Sequence, residues 1–172
     1  MKQHIDTPAG RRGFTLIELI VVVAIILIIS VVTLLNYNSY TDRQRVKQAG
    51  FTLRSDLRLA QTKATSGQKP FVCDNTTTLQ SYEVTFSDCD GKGACYTIQP
   101  ICMKEGIPVD TQEEISTVLL PSGVAFQTSY LPIQFLSVTG ATNLDVDQSI
   151  VLTGADIIYT VNVSRSGSIS DY

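Results

Sequence analysis

Residues 14–35, FTLIELIVVVAIILIISVVTLL, form a 22-residue apolar run whose single charge is Glu18. About 20 apolar residues cross the hydrocarbon core as one helix, so the run is long enough for a membrane span. It exceeds the ~7–15-residue core of a secretory signal, and no small-x-small cleavage site follows it. The chain continues instead into NYNSYTDRQRV, which can prolong a helix. Ahead of the run, MKQHIDTPAGRRG carries Lys2, Arg11 and Arg12. Those cations predict that this end stays in the cytoplasm and the remainder is exported. A plain signal anchor accounts for the run and its basic flank. It does not account for Glu18, because a carboxylate inside a span costs several kcal/mol unless it is paired.

A cut between Gly13 and Phe14 would supply the missing partner. Phe14 then carries a new α-ammonium, and Glu18 becomes the fifth residue of the shortened chain. In a stack of parallel helices the Glu18 of one copy meets the Phe14 ammonium of its neighbour, so two costly charges become one ion pair. Glu18 also lies at a helix N-terminus, where the macrodipole favours a carboxylate. Arg12-Gly13-Phe14-Thr15-Leu16-Ile17-Glu18-Leu19, followed by the apolar run, resembles the class III signal of type IV prepilins and type II secretion pseudopilins. The resemblance implies cleavage after Gly13 by a prepilin peptidase, N-methylation of Phe14 and a role for Glu18 in assembly. It also implies other pilin or pseudopilin subunits, an assembly ATPase and a membrane platform as partners. Position 35 is Leu, where many major pilins carry a bending Pro; this departure leans toward minor pilins and pseudopilins.

Beyond the membrane the helix is expected to continue. Val46, Gly50, Leu53, Leu57, Ala60 and Ala64 form one apolar stripe at helical spacing, and no proline occurs between Phe14 and Lys69. Gly50 weakens a helix by ~1 kcal/mol relative to Ala, and marks close packing or a bend. Arg43, Arg45, Lys47, Arg54, Arg58 and Lys63 lie mostly off the stripe and read as a solvated face, or as contacts to acidic neighbours. Ser66-Gly67-Gln68-Lys69-Pro70 ends the helix. Strands are expected at Phe71–Asp74, Ser81–Ser87, Ala94–Cys102, Ile115–Leu120, Val124–Thr128, Ile133–Val138, Gln148–Thr153 and Ile157–Ser164. The expected fold is α+β and pilin-like: a long N-terminal helix packed on an antiparallel β-sheet head. The organisation is a leader over 1–13, a transmembrane helix over 14–35, its amphipathic continuation over 36–66 and a β-rich head over 67–172. Leu57-Arg58-Leu59-Ala60-Gln61 and Val161–Ile169 are similar, in outline, to the H-type pseudopilin and minor-pilin branch.

Net charge is −3, which gives no case for nucleic acid as a partner. The charge is divided, however: residues 14–69 carry a net +4 and residues 70–172 a net −9. The one histidine, His4, lies in the leader, so no histidine-based triad or histidine-ligated metal is expected in the head. No catalytic residue, cofactor or metal site is expected. Asp88-Cys89-Asp90-Gly91, Asp145 and Asp147 read as solvated turns rather than a calcium site, which needs ~6–8 oxygens. Tyr37 and Tyr40 suit an interfacial aromatic anchor. Cys73, Cys89, Cys95 and Cys102 all fall in the exported part, where an even count favours disulfides. Three connectivities are open. Cys89 and Cys95 bracket a hairpin tip, which favours that pair and leaves Cys73 with Cys102; zinc is the alternative, without any C-x-x-C pair to support it. The expected function is a structural one, a minor pilin or pseudopilin in the cytoplasmic membrane and then in a periplasmic or cell-surface filament. The alternative is a signal-anchored extracytoplasmic binding or adhesin domain that never enters a filament.

Overall fold

The computed structural model describes residues 13–71, 73–74, 76–89, 91–109, 116–155 and 157–171, without the side chains of 31–39. Lys2, His4, Arg11, Arg12, the Leu35 and Tyr37 side chains, Asp90 and Ile115 lie outside the described residues. The chain divides into two compact units, residues 1–39 and 40–172.

One helix, α1 (Leu16–Thr65), holds 50 residues. It starts two residues later than the apolar pattern suggests, because Thr15 caps it: the Leu19 amide donates to the Thr15 carbonyl at 3.2 Å. It ends on Gly67, whose φ of 62° suits a residue without Cβ. There the Gln68 amide bonds the Lys63 carbonyl and the Gly67 amide bonds that of Ala64, at 3.0 and 3.1 Å. Pro70 follows, where the helix can no longer continue.

Within the second unit, α1 buries Val46, Ala49, Leu53, Leu57, Ala60 and Ala64 along one stripe. Among the described residues, nine strands in two antiparallel sheets complete this unit. Strands β1 (Thr78–Asp88) and β2 (Ala94–Lys104) form a long hairpin. β3 (Ile107–Pro108) and β4 (Ser116–Leu119) line the far side of β2, and β6 (Ile133–Leu136) that of β1. The second sheet runs β5 (Ala125–Phe126), β7 (Gln148–Gly154), β8 (Ile157–Val163), β9 (Ile169–Asp171). The inward residues Tyr82, Val84, Tyr96, Ile133, Phe135, Ile150, Leu152, Val161 and Val163 make one core with the α1 stripe.

The pattern suggested a single sheet; the chain makes two that meet at Thr142. Thr142 pairs with Phe135 in the first sheet, while its amide and hydroxyl donate to the carbonyls of Arg165 and Ser164 beside the second. Ladder pairing stops after Leu136, where Val138 takes φ 71° and Gly140 φ 66°. Phe71, Cys73 and Asp74, expected in a strand, are not in one; Val72 lies outside the described residues. Their composition suits one, but the Cys73 amide turns back to the Pro70 carbonyl, and Asp74 Oδ1 accepts from both the amide and the hydroxyl of Thr76. Such local side-chain bonds satisfy the backbone and compete with a ladder. Strands β3 and β9, two and three residues long, escaped the periodicity altogether.

Polar ties hold helix to sheets. The buried Tyr96 hydroxyl donates to Asp56 Oδ2 at 2.5 Å. The Gln61 amide nitrogen donates to the carbonyls of Gly140 and Gly167 at 3.0 and 2.8 Å. Arg54 pairs with Asp171 at 2.8 Å, and Asp171 also accepts the Tyr159 hydroxyl. Arg54 and Arg58, which donates to the Ile169 carbonyl, are therefore engaged with their own head rather than on a purely solvated face.

Both tyrosines resist ionisation. Burial first, then the hydrogen bond and charge of Asp171, raises Tyr159 from near 10 to about 12. Burial and then Asp56 raise Tyr96 further in the same direction. A phenol whose folded pKa exceeds its unfolded value contributes its full stability below pH ~10 and loses it as pH rises through the folded value. Head stability should therefore stay level through neutral pH and begin to fall above about pH 10. Phenolate absorbance during alkaline titration checks this. The phenols of Tyr96 and Tyr159 should ionise last, together with unfolding, and Tyr159→Phe should soften the alkaline fall. Ionisation of all seven tyrosines in one step near pH 10, with the fold intact, would refute it.

Candidate assembly site at the helix start

Gly13 and Phe14 precede the helix in non-helical backbone, and Phe14 is 81% exposed. Among the described residues other than its chain neighbours, nothing lies within 4 Å of where a Cβ on Gly13 would stand. Thr15 and Glu18 then cap α1 reciprocally. The Glu18 amide donates to Thr15 Oγ1 at 3.3 Å, and the Thr15 amide donates to Glu18 Oε2 at a long 3.5 Å. This is a capping box, which satisfies two orphan donors of the first turn. Its T-x-x-E spacing is legible in Thr15-Leu16-Ile17-Glu18, yet the apolar run drew attention to the charge and not to the cap. Within the chain the structure thus ties Glu18 to Thr15, with the carboxylate at the positive end of the helix dipole.

From Leu16 to Ile29 every large apolar side chain is exposed, the least being Val22 at 46%. The exposure runs around the whole helix, whereas an apolar-all-round helix needs cover on every side. Ser30 donates its hydroxyl to the Ile26 carbonyl at 2.7 Å, removing one polar group from that surface. Among the described residues no helix is long and apolar enough to cross a membrane; the apolar side chains described in this unit stop before residue 31.

In the head, the sulfurs of Cys73 and Cys102 are bonded, as are those of Cys89 and Cys95, with Cα separations of 5.9 and 5.8 Å. Among the described residues no group of three His, Cys, Asp or Glu could hold a metal. Asp147 accepts the Arg165 amide at 3.1 Å, and Asp88 and Asp145 are exposed. Tyr40 is 63% exposed. The perturbed phenols, Tyr96 and Tyr159, are committed to bonds with Asp56 and Asp171 that tie helix to sheets.

The family model for the prokaryotic N-terminal methylation motif matches residues 8–34. A relative described as fimbrial protein, from Pseudomonas aeruginosa, is 32% identical over 126 residues, covering 72% of this chain and 78% of that protein. No solved structure matches the chain.

Proposed function

Because the chain belongs to the type IV pilin-like fimbrial proteins, we propose that it is a minor pilin or pseudopilin subunit, stored in the membrane and built into a filament. The observation that carries this reading is the helix start: an all-round exposed apolar helix headed by one carboxylate and preceded by a non-helical Gly13–Phe14 peptide. Prepilin peptidase cuts between Gly13 and Phe14, and Phe14 is methylated on its new amine. The run over 14–35 spans the membrane until extraction. In the filament the cover is other copies of the same helix, and Glu18 pairs with the Phe14 ammonium of its neighbour. The long Thr15–Glu18 bond costs little to exchange for a charge-assisted one. An assembly ATPase and a membrane platform drive the transfer. A structural subunit needs no catalytic group of its own, and the head's network serves the fold.

N-terminal mass spectrometry of membrane and sheared-filament fractions, from cells carrying the prepilin peptidase, tests this. The expected peptide starts at methylated Phe14 and is enriched in the sheared fraction. Glu18→Ala should keep the cut and lose most of the sheared material. Residues 1–13 retained in every fraction would overturn the mechanism in favour of a signal-anchored binding domain.

A further inference from the structure

Among the described residues of the head, several large apolar side chains stand outside the core, and Phe71 is the most exposed of them, ahead of Val138 and Leu131. Phe71 is 97% exposed. It is nonetheless held in place, since Pro70 precedes it and the Cys73 amide bonds the Pro70 carbonyl at 3.0 Å. Cys73 itself is 4% exposed and bonded to Cys102. A backbone held in this way fixes where the ring projects, so docking it orders little more than the side chain itself. Two residues before it stands Lys69, whose ammonium donates to the Thr77 carbonyl and keeps its positive charge at the surface.

A complementary feature lies elsewhere on the same head. A cleft of about 630 Å³ opens between the β1–β2 hairpin tip and β5, with Phe86, Ala94, Val124 and Phe126 among its walls. The Phe86 and Phe126 rings meet edge to face at 5.3 Å, and Tyr130 abuts both. Asp88 also lines the cleft and is exposed. Phe86 and Asp88 are two apart on β1, so they share a face about 7 Å apart. Lys69 and Phe71 are likewise two apart. A cation beside an exposed aromatic ring on one patch is thus complementary in charge to an aromatic cleft beside a carboxylate on the other.

Knob and cleft sit at different levels along α1. Phe71 shares a cavity wall with Lys63, whereas Gly123 of the cleft touches the place where a Cβ on Gly154 would also meet Val46. Seventeen helical residues separate Val46 from Lys63, about 25 Å of rise. A head cannot reach its own cleft across that distance. A contact between two different patches is head-to-tail: it builds a ring or an open helical array rather than a two-fold dimer, and an axial offset between the patches suits the array.

We propose that Phe71 of one copy inserts into the Phe86–Phe126 cleft of the next, with Lys69 facing Asp88. This rests on the filament reading above and names the contact between heads. Sheared filament from cells expressing the full chain tests it, with membrane-fraction level and Phe14 processing followed in parallel. Phe71→Glu should lower filament yield about tenfold or more, as loss of an interface anchor does, while level and processing stay unchanged. Lys69→Glu and Asp88→Lys should each lower it several-fold, and together they should recover much of the loss. Wild-type yield for Phe71→Glu, or a double variant no better than the worse single one, overturns the contact and leaves the filament reading standing. A wild type that is never processed and never sheds filament overturns the reading and the contact with it.

Discussion

Replacing Cys73 and Cys102 together by alanine is expected to lower the unfolding free energy of the head by about 3.5 kcal/mol. The bond closes a loop with a sequence separation of 29. Loop-closure entropy for that length is worth roughly 3.6 kcal/mol at room temperature, against about 2.4 kcal/mol for a loop as short as that of Cys89–Cys95. Alanine avoids burying a hydroxyl at two positions that are 4% and 0% exposed. Since domains are stable by ~5–15 kcal/mol, the longer bond matters for whether the head stays folded. It also pins the turn that carries Phe71, so filament yield should fall alongside stability. Chemical denaturation of the full-length chain in detergent, followed by near-ultraviolet circular dichroism of the head, measures the difference. Removing Cys89 and Cys95 should cost about 1 kcal/mol less than removing Cys73 and Cys102. Equal losses, or a larger one for the short loop, would sink the loop-length account.

The features legible in the sequence are those written by local spacing. The α1 stripe could be listed residue by residue because a 3.6 period brings Val46, Leu53, Leu57 and Ala64 to one face. Gly67 and Pro70 marked the helix end because one admits positive φ and the other cannot continue a helix. β8 was visible in the alternation of Tyr159, Val161 and Val163, all buried. What was hidden depends on partners far apart in the chain. The split into two sheets is decided where Thr142 bonds the carbonyls of Ser164 and Arg165. The Arg54–Asp171 pair joins the middle of the helix to the last described strand. Phe71–Asp74 misled for the opposite reason: strand-forming residues yielded to a turn made by Asp74 and Thr76. At the helix start, Glu18 was legible as an anomaly because the membrane makes a lone charge expensive. Its bond to Thr15 was equally legible, but needed the question of where the first amides of the helix find acceptors.

Gly50→Ala should destabilise the head by about 2 kcal/mol, against the usual direction for an exposed helix position. On propensity alone, alanine in mid-helix gains ~1 kcal/mol over glycine. Here the added methyl would stand inside the ring of Tyr159. That ring has little room to swing: its hydroxyl donates to Asp171, Asp171 pairs with Arg54, and its edge packs on Phe51 with centroids 5.4 Å apart. Yielding to the methyl means giving up part of that network, so overpacking of ~1–3 kcal/mol adds to lost polar bonds of ~1 kcal/mol each and outweighs the helical gain. The same reasoning fixes what happens when the ring is removed. In a Tyr159→Leu background the obstruction is gone, and Gly50→Ala should become neutral or stabilising by up to ~1 kcal/mol. Four denaturation curves close this double-mutant cycle, and the reversal of sign is its test. If Gly50→Ala is destabilising by the same amount in both backgrounds, the glycine is there for backbone conformation and not for the tyrosine. If it stabilises both, the close approach of helix and β8 at this point does not exist.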